Sequence, residues 1–313
     1  MNLKSRSKKW LLMKHSELIA TITEPFFLNF TYHRKRTILM GIKTKIDWCD
    51  SSWNPVTGCL HGCQYCYARG IMERFGGACH VAPHYHDVED PVENVGVVYE
   101  YSSGKNHVLN EPYFDAKNEK VAPYPYFFDP TLHRYKLDEP QRWKKPRTIF
   151  VCSMADLFGE WVPTEWISAV IEACKAAPQH RYLFLTKNPK RYIKLIQAGI
   201  LPLNNDRFWY GTTCENPMQE YFFCGKAKTF VSIEPIFAPF TGLNYFDTPP
   251  EQRVDWIIVG AETGNRKGKI IPEKSWIDEL AYCSAQQKTP IFMKSSLRGI
   301  MGVDFVQQFP WDK

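Results

Sequence analysis

From residue 148 onward, short apolar runs alternate with longer segments whose apolar residues recur every three or four positions. Thr148-Ile-Phe-Val-Cys152, Arg181-Tyr-Leu-Phe-Leu185, Phe208-Trp-Tyr-Gly-Thr212, Thr229-Phe-Val-Ser-Ile233, Trp256-Ile-Ile-Val259 and Pro290-Ile-Phe-Met293 read as buried strands. Between the first two, Ile167, Val170, Ile171 and Cys174 fall at i, i+3, i+4 and i+7, the spacing of one helix face. Asn188 to Ala198 reads as a second helix stopped by Gly199. A third begins at Pro272, with Trp276, Leu280 and Cys283 on one face. Strands alternating with helices predict a parallel sheet with right-handed crossovers. One more strand before residue 59 brings the count to about seven, so the units run out before a closed eight-stranded barrel. No glycine-rich dinucleotide fingerprint follows any strand.

Residues 78–145 interrupt this alternation with Tyr, Pro, His and Asp and little helical period. Within them Val97-Val-Tyr-Glu-Tyr101, Ser102-Ser-Gly104 and His107-Val-Leu109 read as a hairpin with a glycine turn. So long an insertion is expected to be a functional cap. The predicted organisation is an N-terminal extension, residues 1–40, followed by a barrel domain, residues 41–313, carrying the insertion at 78–145. The extension holds eight Lys or Arg against two acids, which accounts for the whole net charge of +6. The remaining residues balance, thirty-one of each sign, and give no bulk signature for nucleic acid. The extension reads as a disordered tail, and Met40 as the natural start. No run approaches the ~20 apolar residues of a membrane span, and Lys14 and His15 break the one early run that resembles a secretory signal. Ten cysteines without such a signal argue for a reduced, cytoplasmic setting.

Three of those cysteines are grouped as Cys59-Leu-His-Gly-Cys63-Gln-Tyr-Cys66. Iron–sulfur cubes take four cysteine ligands as a rule. Three thiolates in eight residues hold three irons and leave the fourth open to another ligand. A structural zinc site is the competing reading, with Cys49, Cys79, His80 or His61 as the fourth ligand. Zinc modules usually pair two C-x2-C units, and this chain has one. Cys79, His80, His84 and His86 form a second candidate metal group, although Pro83 and Asp87-Val-Glu-Asp90 read as a surface loop. Cys49, Cys152, Cys174, Cys214, Cys224 and Cys283 read as packing residues.

The C-x3-C-x-aromatic-C pattern, with Tyr65 as the aromatic, resembles the signature of the radical SAM superfamily. The flanking Thr44-Lys-Ile-Asp-Trp48, Trp53-Asn-Pro-Val-Thr-Gly-Cys59 and Cys66-Tyr-Ala68 resemble a phage-associated, functionally uncharacterised family related to it. The resemblance continues through Ser153-Met-Ala-Asp-Leu-Phe158, Leu185-Thr-Lys187, Ser232-Ile-Glu-Pro235, Val259-Gly-Ala-Glu262 and Phe292-Met-Lys294. It covers residues 42–298 and is weak over 78–130. It implies an α/β fold, a partial (βα)6-type barrel, with a [4Fe–4S] cluster on Cys59, Cys63 and Cys66. It also implies S-adenosylmethionine (SAM) on the open iron, cleaved to a 5′-deoxyadenosyl radical, and an electron donor such as flavodoxin or ferredoxin.

In parallel α/β barrels the reactive groups lie at the carboxyl ends of strands. Ser153 and Asp156, Thr186 and Lys187, Thr213 and Glu215, Glu234, Glu262 and Lys294 stand at or just past the ends of six successive predicted strands. Buried charges need partners, so one polar pocket facing the cluster is the economical account. The resemblance assigns Ser153 and Asp156 to the amino group of SAM, although Ser-Met-Ala-Asp replaces the usual Gly-Gly-Glu. It assigns Thr213 and Glu215 to the ribose, the backbone around Gly260 to adenine, and Tyr65 to packing beside the cluster. Lys187, Glu234, Glu262 and Lys294 remain as candidate catalytic residues toward the SAM carboxylate or the substrate. Trp48, Trp53, Tyr67, Trp143, Trp161 and Trp209 lie near these loops and read either as core or as stacking platforms. The predicted substrate is a small molecule, with a nucleic-acid base or its precursor first. A non-catalytic protein that uses its cysteines to hold structural zinc or iron–sulfur is the alternative.

Overall fold

A computed structural model describes residues 44–76, 98–101, 104–114, 120–240 and 253–312. The basic extension and the group Cys79, His80, His84 and His86 lie outside the described residues. In chain order the strands are β1 (Ser51–Trp53), β2 (Val56–Thr57), β3 (Val98–Tyr101), β4 (Gly104–Leu109), β5 (Thr131–His133), β6 (Thr148–Val151), β7 (Arg181–Thr186), β8 (Phe208–Thr213), β9 (Lys228–Ile233), β10 (Trp256–Val259) and β11 (Ile291–Met293). The longer helices are α1 (Tyr67–Phe75), α2 (Thr164–Lys175), α3 (Pro189–Gln197) and α4 (Lys274–Gln287).

Seven strands make one sheet in the order β1-β6-β7-β8-β9-β10-β11, and every pairing is parallel. The alternation of side chains along each strand sorts them onto two faces. Ile149, Val151, Tyr182, Phe184, Phe208 and Tyr210 pack with Val170 and Ile171 of α2 and with Tyr192 and Leu195 of α3. Ile257, Val259, Ile291 and Met293 pack with Ile277 and Leu280 of α4. The intervening residues, Phe150, Leu183, Trp209, Phe230, Trp256, Ile258 and Phe292, form a separate cluster with Trp48 and without any residue from these helices. The helices therefore cover one face while the other turns inward, the arrangement of a partial α/β barrel. Both faces are buried, which explains why the strands read as continuous apolar runs. Among the described residues, β8 passes to β9 without a helix.

The two edges of the sheet are managed differently. Along β11, Met293 N donates to Val306 O at 2.9 Å and Gln308 N donates to Ile291 O at 3.0 Å, so the C-terminal segment covers that edge. The segment before β1 reaches from the last strand to the first. Asp47 accepts from Ser295 N and Oγ at 2.7 and 2.8 Å, just past β11, while Asp50 N donates to Thr148 O at 2.9 Å. Between these tethers Trp48 packs its ring into the inner cluster, 4.6 Å from Phe150 and 6.3 Å from Trp256 between centroids.

A second sheet has the order β2-β5-β4-β3. The hairpin expected within the insertion is present as β3 and β4, paired antiparallel. β5 joins it to β2, which lies between β1 and the three cysteines. The insertion thus shares a sheet with the strand that leads into the cysteine loop.

Trp256 is fully buried and touches aromatic neighbours on several sides, among them Phe230, Phe292 and Trp311. Truncating it leaves a void that its rigid neighbours cannot fill. Trp256→Ala is expected to lower the unfolding free energy by ~4 kcal/mol in chemical denaturation. A loss below ~1 kcal/mol would contradict a packed barrel interior.

Candidate functional site

The cysteine loop is pinned at its start by a glycine that no other residue can replace. Gly58 has φ +87°, and a Cβ there would stand 2.2 Å from Asp129 O. Its N–H donates to Met154 O at 2.9 Å, and Cys59 N donates to Phe128 O at 3.1 Å. The loop therefore leans on the segment after β6 from one side and on the insertion from the other. It ends at α1, where Cys66 is the N-cap and its sulfur accepts from Arg69 N at 3.4 Å. That sulfur thus sits at the positive end of a helix.

A cavity of about 200 Å³ opens at the carboxyl ends of the barrel strands. Cys59, Cys63 and Cys66 line it together with Tyr65, Ser153, Asp156, Lys187, Thr213, Glu234, Glu262 and Lys294. Twelve of the fourteen residues singled out in the sequence, Thr186 included, thus share one wall system, although their positions span the chain. Glu215 and Gly260 stand just behind it. A larger hollow of about 640 Å³ lies against α4 and the C-terminal segment, lined by Ser284, Thr289 and Gln308, and holds none of them.

Asp156 is the most heavily bonded group of the site. Its Oδ2 accepts from His61 Nε2 at 2.7 Å, from Thr186 Oγ1 at 3.0 Å and from Lys187 N at 2.9 Å. Its Oδ1 accepts from Phe158 N at 3.0 Å. An ionised carboxylate has about four acceptor sites, and here the chain itself fills them. His61 lies between Cys59 and Cys63 and packs edge-on against Trp161 at 4.8 Å. One buried carboxylate thereby joins the cysteine loop to the ends of β6 and β7.

Two ammonium–carboxylate pairs occupy the cavity wall. Lys187 pairs with Glu215, and Tyr65 donates its hydroxyl to the same Glu215. Lys187 also donates to Tyr65 Oη at 2.5 Å. Burial pushes the Glu215 carboxyl up from its usual range and pulls the Lys187 ammonium down. Lys294 pairs with Glu234. Gly260 makes room for that lysine, since a Cβ there would stand 2.9 Å from Lys294 Cδ. At the rim Glu262 is held by a two-pronged Arg266 contact at 2.6 and 2.7 Å, which lowers its carboxyl below the usual range.

Cys59 and Cys63 are disfavoured as thiolates. Burial pushes Cys59 up to about 12, and the negative charges of Asp156, Cys63 and Cys66 add to the effect. Cys63 is raised for the same first reason, with Lys187 opposing. Cys49 is not part of this group. It packs against the inner cluster and donates to Ile46 O at 3.9 Å. Among the described residues, no three His, Cys, Asp or Glu side chains converge as a single bound ion requires.

The backbone from Val259 to Ala261, assigned to adenine from the sequence, is largely spent within the fold. Gly260 N donates to Ile233 O, Gly260 O accepts from Ile236 N, Val259 O accepts from Lys294 N, and Ala261 N donates to Ser296 Oγ. A sequence shows no such pairing, which depends on register between β9, β10 and the segments that follow. Of the aromatic residues near the site, Trp48 and Tyr67 line the cavity, while Trp53, Trp143 and Trp209 are buried in the core clusters. His61 was considered from the sequence only as a fourth zinc ligand, not as the partner of Asp156, and Arg266 was missed. The position of His61 inside the cysteine spacing was the signal for it.

Residues 43–299 match the family described as "Protein of unknown function (DUF5131)". The chain belongs to this family. No curated protein matches the DUF5131 chain. Among solved structures it is similar to one described as "Spore photoproduct lyase complexed with dinucleoside spore photoproduct". The TM-score is 0.47 at 11% identity, over 83% of this chain and 81% of that one. No described helix of the DUF5131 chain is long and apolar enough to cross a membrane.

Removing the carboxylate of Asp156 strands several donors at once. Asp156→Ala is expected to cost ~3 kcal/mol in urea unfolding, with Asp156→Asn, which keeps one acceptor oxygen, losing less. An unfolding free energy equal to that of the wild type would contradict the network.

Proposed function

We propose that this protein is a radical SAM-type iron–sulfur enzyme whose substrate is a small molecule or a nucleic-acid-derived one. The observation that carries the reading is the gathering of Cys59, Cys63 and Cys66 around one cavity whose walls hold the strand-end residues Ser153, Asp156, Lys187, Thr213, Glu234, Glu262 and Lys294. The donor set suits a [4Fe–4S] cube. Its three thiolates each take a separate iron, whereas a structural zinc needs a fourth ligand, and Cys49 packs against the inner cluster instead. Thiolates that burial and mutual repulsion disfavour are stabilised by cationic iron. The chemistry supplied by a bound cube and SAM is reductive cleavage of the sulfonium to a 5′-deoxyadenosyl radical.

The residues of the chain divide the remaining work. Asp156, with its acceptor sites filled from within, orders the cysteine loop through His61 rather than receiving the amino group of SAM. Tyr65, Lys187 and Glu215 form one bonded unit beside Cys63, which fixes the tyrosine ring next to the cluster position. Lys294 and Glu234 offer an ammonium and a carboxylate to a zwitterionic ligand, since each group has a counter-charge it can exchange for one on the ligand. Thr213 and Ser153 supply hydroxyls to the same wall. The apolar remainder of the cavity shields a reactive intermediate from water.

The test is anaerobic. Residues 40–313 are reconstituted with iron and sulfide, reduced with dithionite and given SAM, and 5′-deoxyadenosine is sought by mass spectrometry. The reading predicts the nucleoside from the wild-type sequence and its loss in Cys59→Ala, Cys63→Ala and Cys66→Ala, which should also fail to take up a full cube. Zinc in place of iron, or a variant that loads as well as the wild type, would replace the enzyme with the structural metal protein.

A further inference from the structure

Two residues that line the cavity carry a buried polar atom with nothing to bond. Trp48 Nε1 and Ser232 Oγ have no hydrogen-bond partner among the described residues. Both residues line the cavity, and they are 1% and 0% exposed. Buried donors in folded proteins are paired almost without exception, so a bare one asks for a partner from outside. Thr186, on the neighbouring wall, shows the usual outcome, its hydroxyl taken by Asp156 at 3.0 Å.

The two groups belong to one region. Phe230 and Ser232 stand two apart on β9 and so share its inner face. Trp48 packs 6.3 Å from Phe230 and 4.6 Å from Phe150 between ring centroids. The wall around them is apolar, built by Ile46, Phe150 and Leu185. An indole N–H can only donate, and a hydroxyl can donate as well. A ligand reaching this floor must therefore bring an acceptor on an otherwise apolar body. It need not bring charge, because the cavity lysines Lys187 and Lys294 are already paired with Glu215 and Glu234. The rings of Trp48 and Phe150 favour a flat ligand.

We propose that Trp48 and Ser232 form a hydrogen-bonding subsite at the apolar floor of the cavity for the carbonyl oxygen of a neutral, planar heterocycle of the nucleobase type. The subsite rests on the reading of this cavity as the active site, and it names the substrate class. The two donors set specificity, because a site built around buried donors rejects a ligand that leaves them unmet.

The experiment titrates the full chain with uridine and with inosine, as isolated and after reconstitution, by calorimetry and by the shift in Tm. At least one nucleoside is expected to bind and raise Tm. Trp48→Phe and Ser232→Ala should each weaken that binding by about tenfold or more. Ser232→Ala should leave the Tm of the unliganded protein unchanged or higher, since it removes a hydroxyl with no partner. The subsite is overturned if neither nucleoside binds, if both variants bind as the wild type does, or if Ser232→Ala lowers the unliganded Tm. Iron content, measured on the same samples, separates the two readings. Full iron with no nucleoside binding condemns the subsite alone, and binding that depends on Trp48 and Ser232 without iron supports the subsite while condemning the cluster.

Discussion

The carboxylate of Asp156 is the point on which the site turns. It is buried, and the four hydrogen bonds it accepts come from three parts of the chain: the cysteine loop, its own turn after β6, and the end of β7. Removing any one donor would leave a buried carboxylate short of a partner. The cysteine loop has little apolar burial of its own, since all three cysteines are only half-buried. Its shape depends instead on Asp156 through His61, on Gly58 against Asp129, and on the cap that Cys66 gives to α1.

The barrel supplies the rigid side of that arrangement. Large aromatic side chains fill its interior below the cavity, from Trp48 through Trp256 to Trp311. Close-packed rings compress little, so they support the strand ends above them. The charged groups on those strand ends are paired carboxylate to cation, as the low-dielectric setting requires. The cavity thus holds paired charges, three thiols and two unmet donors together.

Much of this was legible in the sequence because it rests on local pattern. Six of the seven parallel strands could be read from apolar runs, and the helices between them from their period, whereas β1, Ser51–Trp53, is not an apolar run. Lys187, Glu234 and Lys294 could be picked out because charges at strand ends are conspicuous in an apolar context. Pairing was not legible. Whether Asp156 is free or saturated, and whether the backbone at Gly260 is open, depends on which segments become neighbours. The insertion was harder still. Its β5 inserts between β4 and β2, so that a short strand near the cysteines finds partners more than forty residues away. Local composition carries no record of such a pairing.

The central claim is that three thiolates hold a cube with one iron open to SAM. The most direct test is the electron paramagnetic resonance spectrum of the reconstituted, dithionite-reduced protein before and after SAM is added. The account predicts a reduced [4Fe–4S] signal whose g-values shift when SAM binds, because the added ligand changes the coordination of one iron. A cube signal that SAM leaves unchanged would contradict the open iron, and the absence of any cube would contradict the ligand set itself.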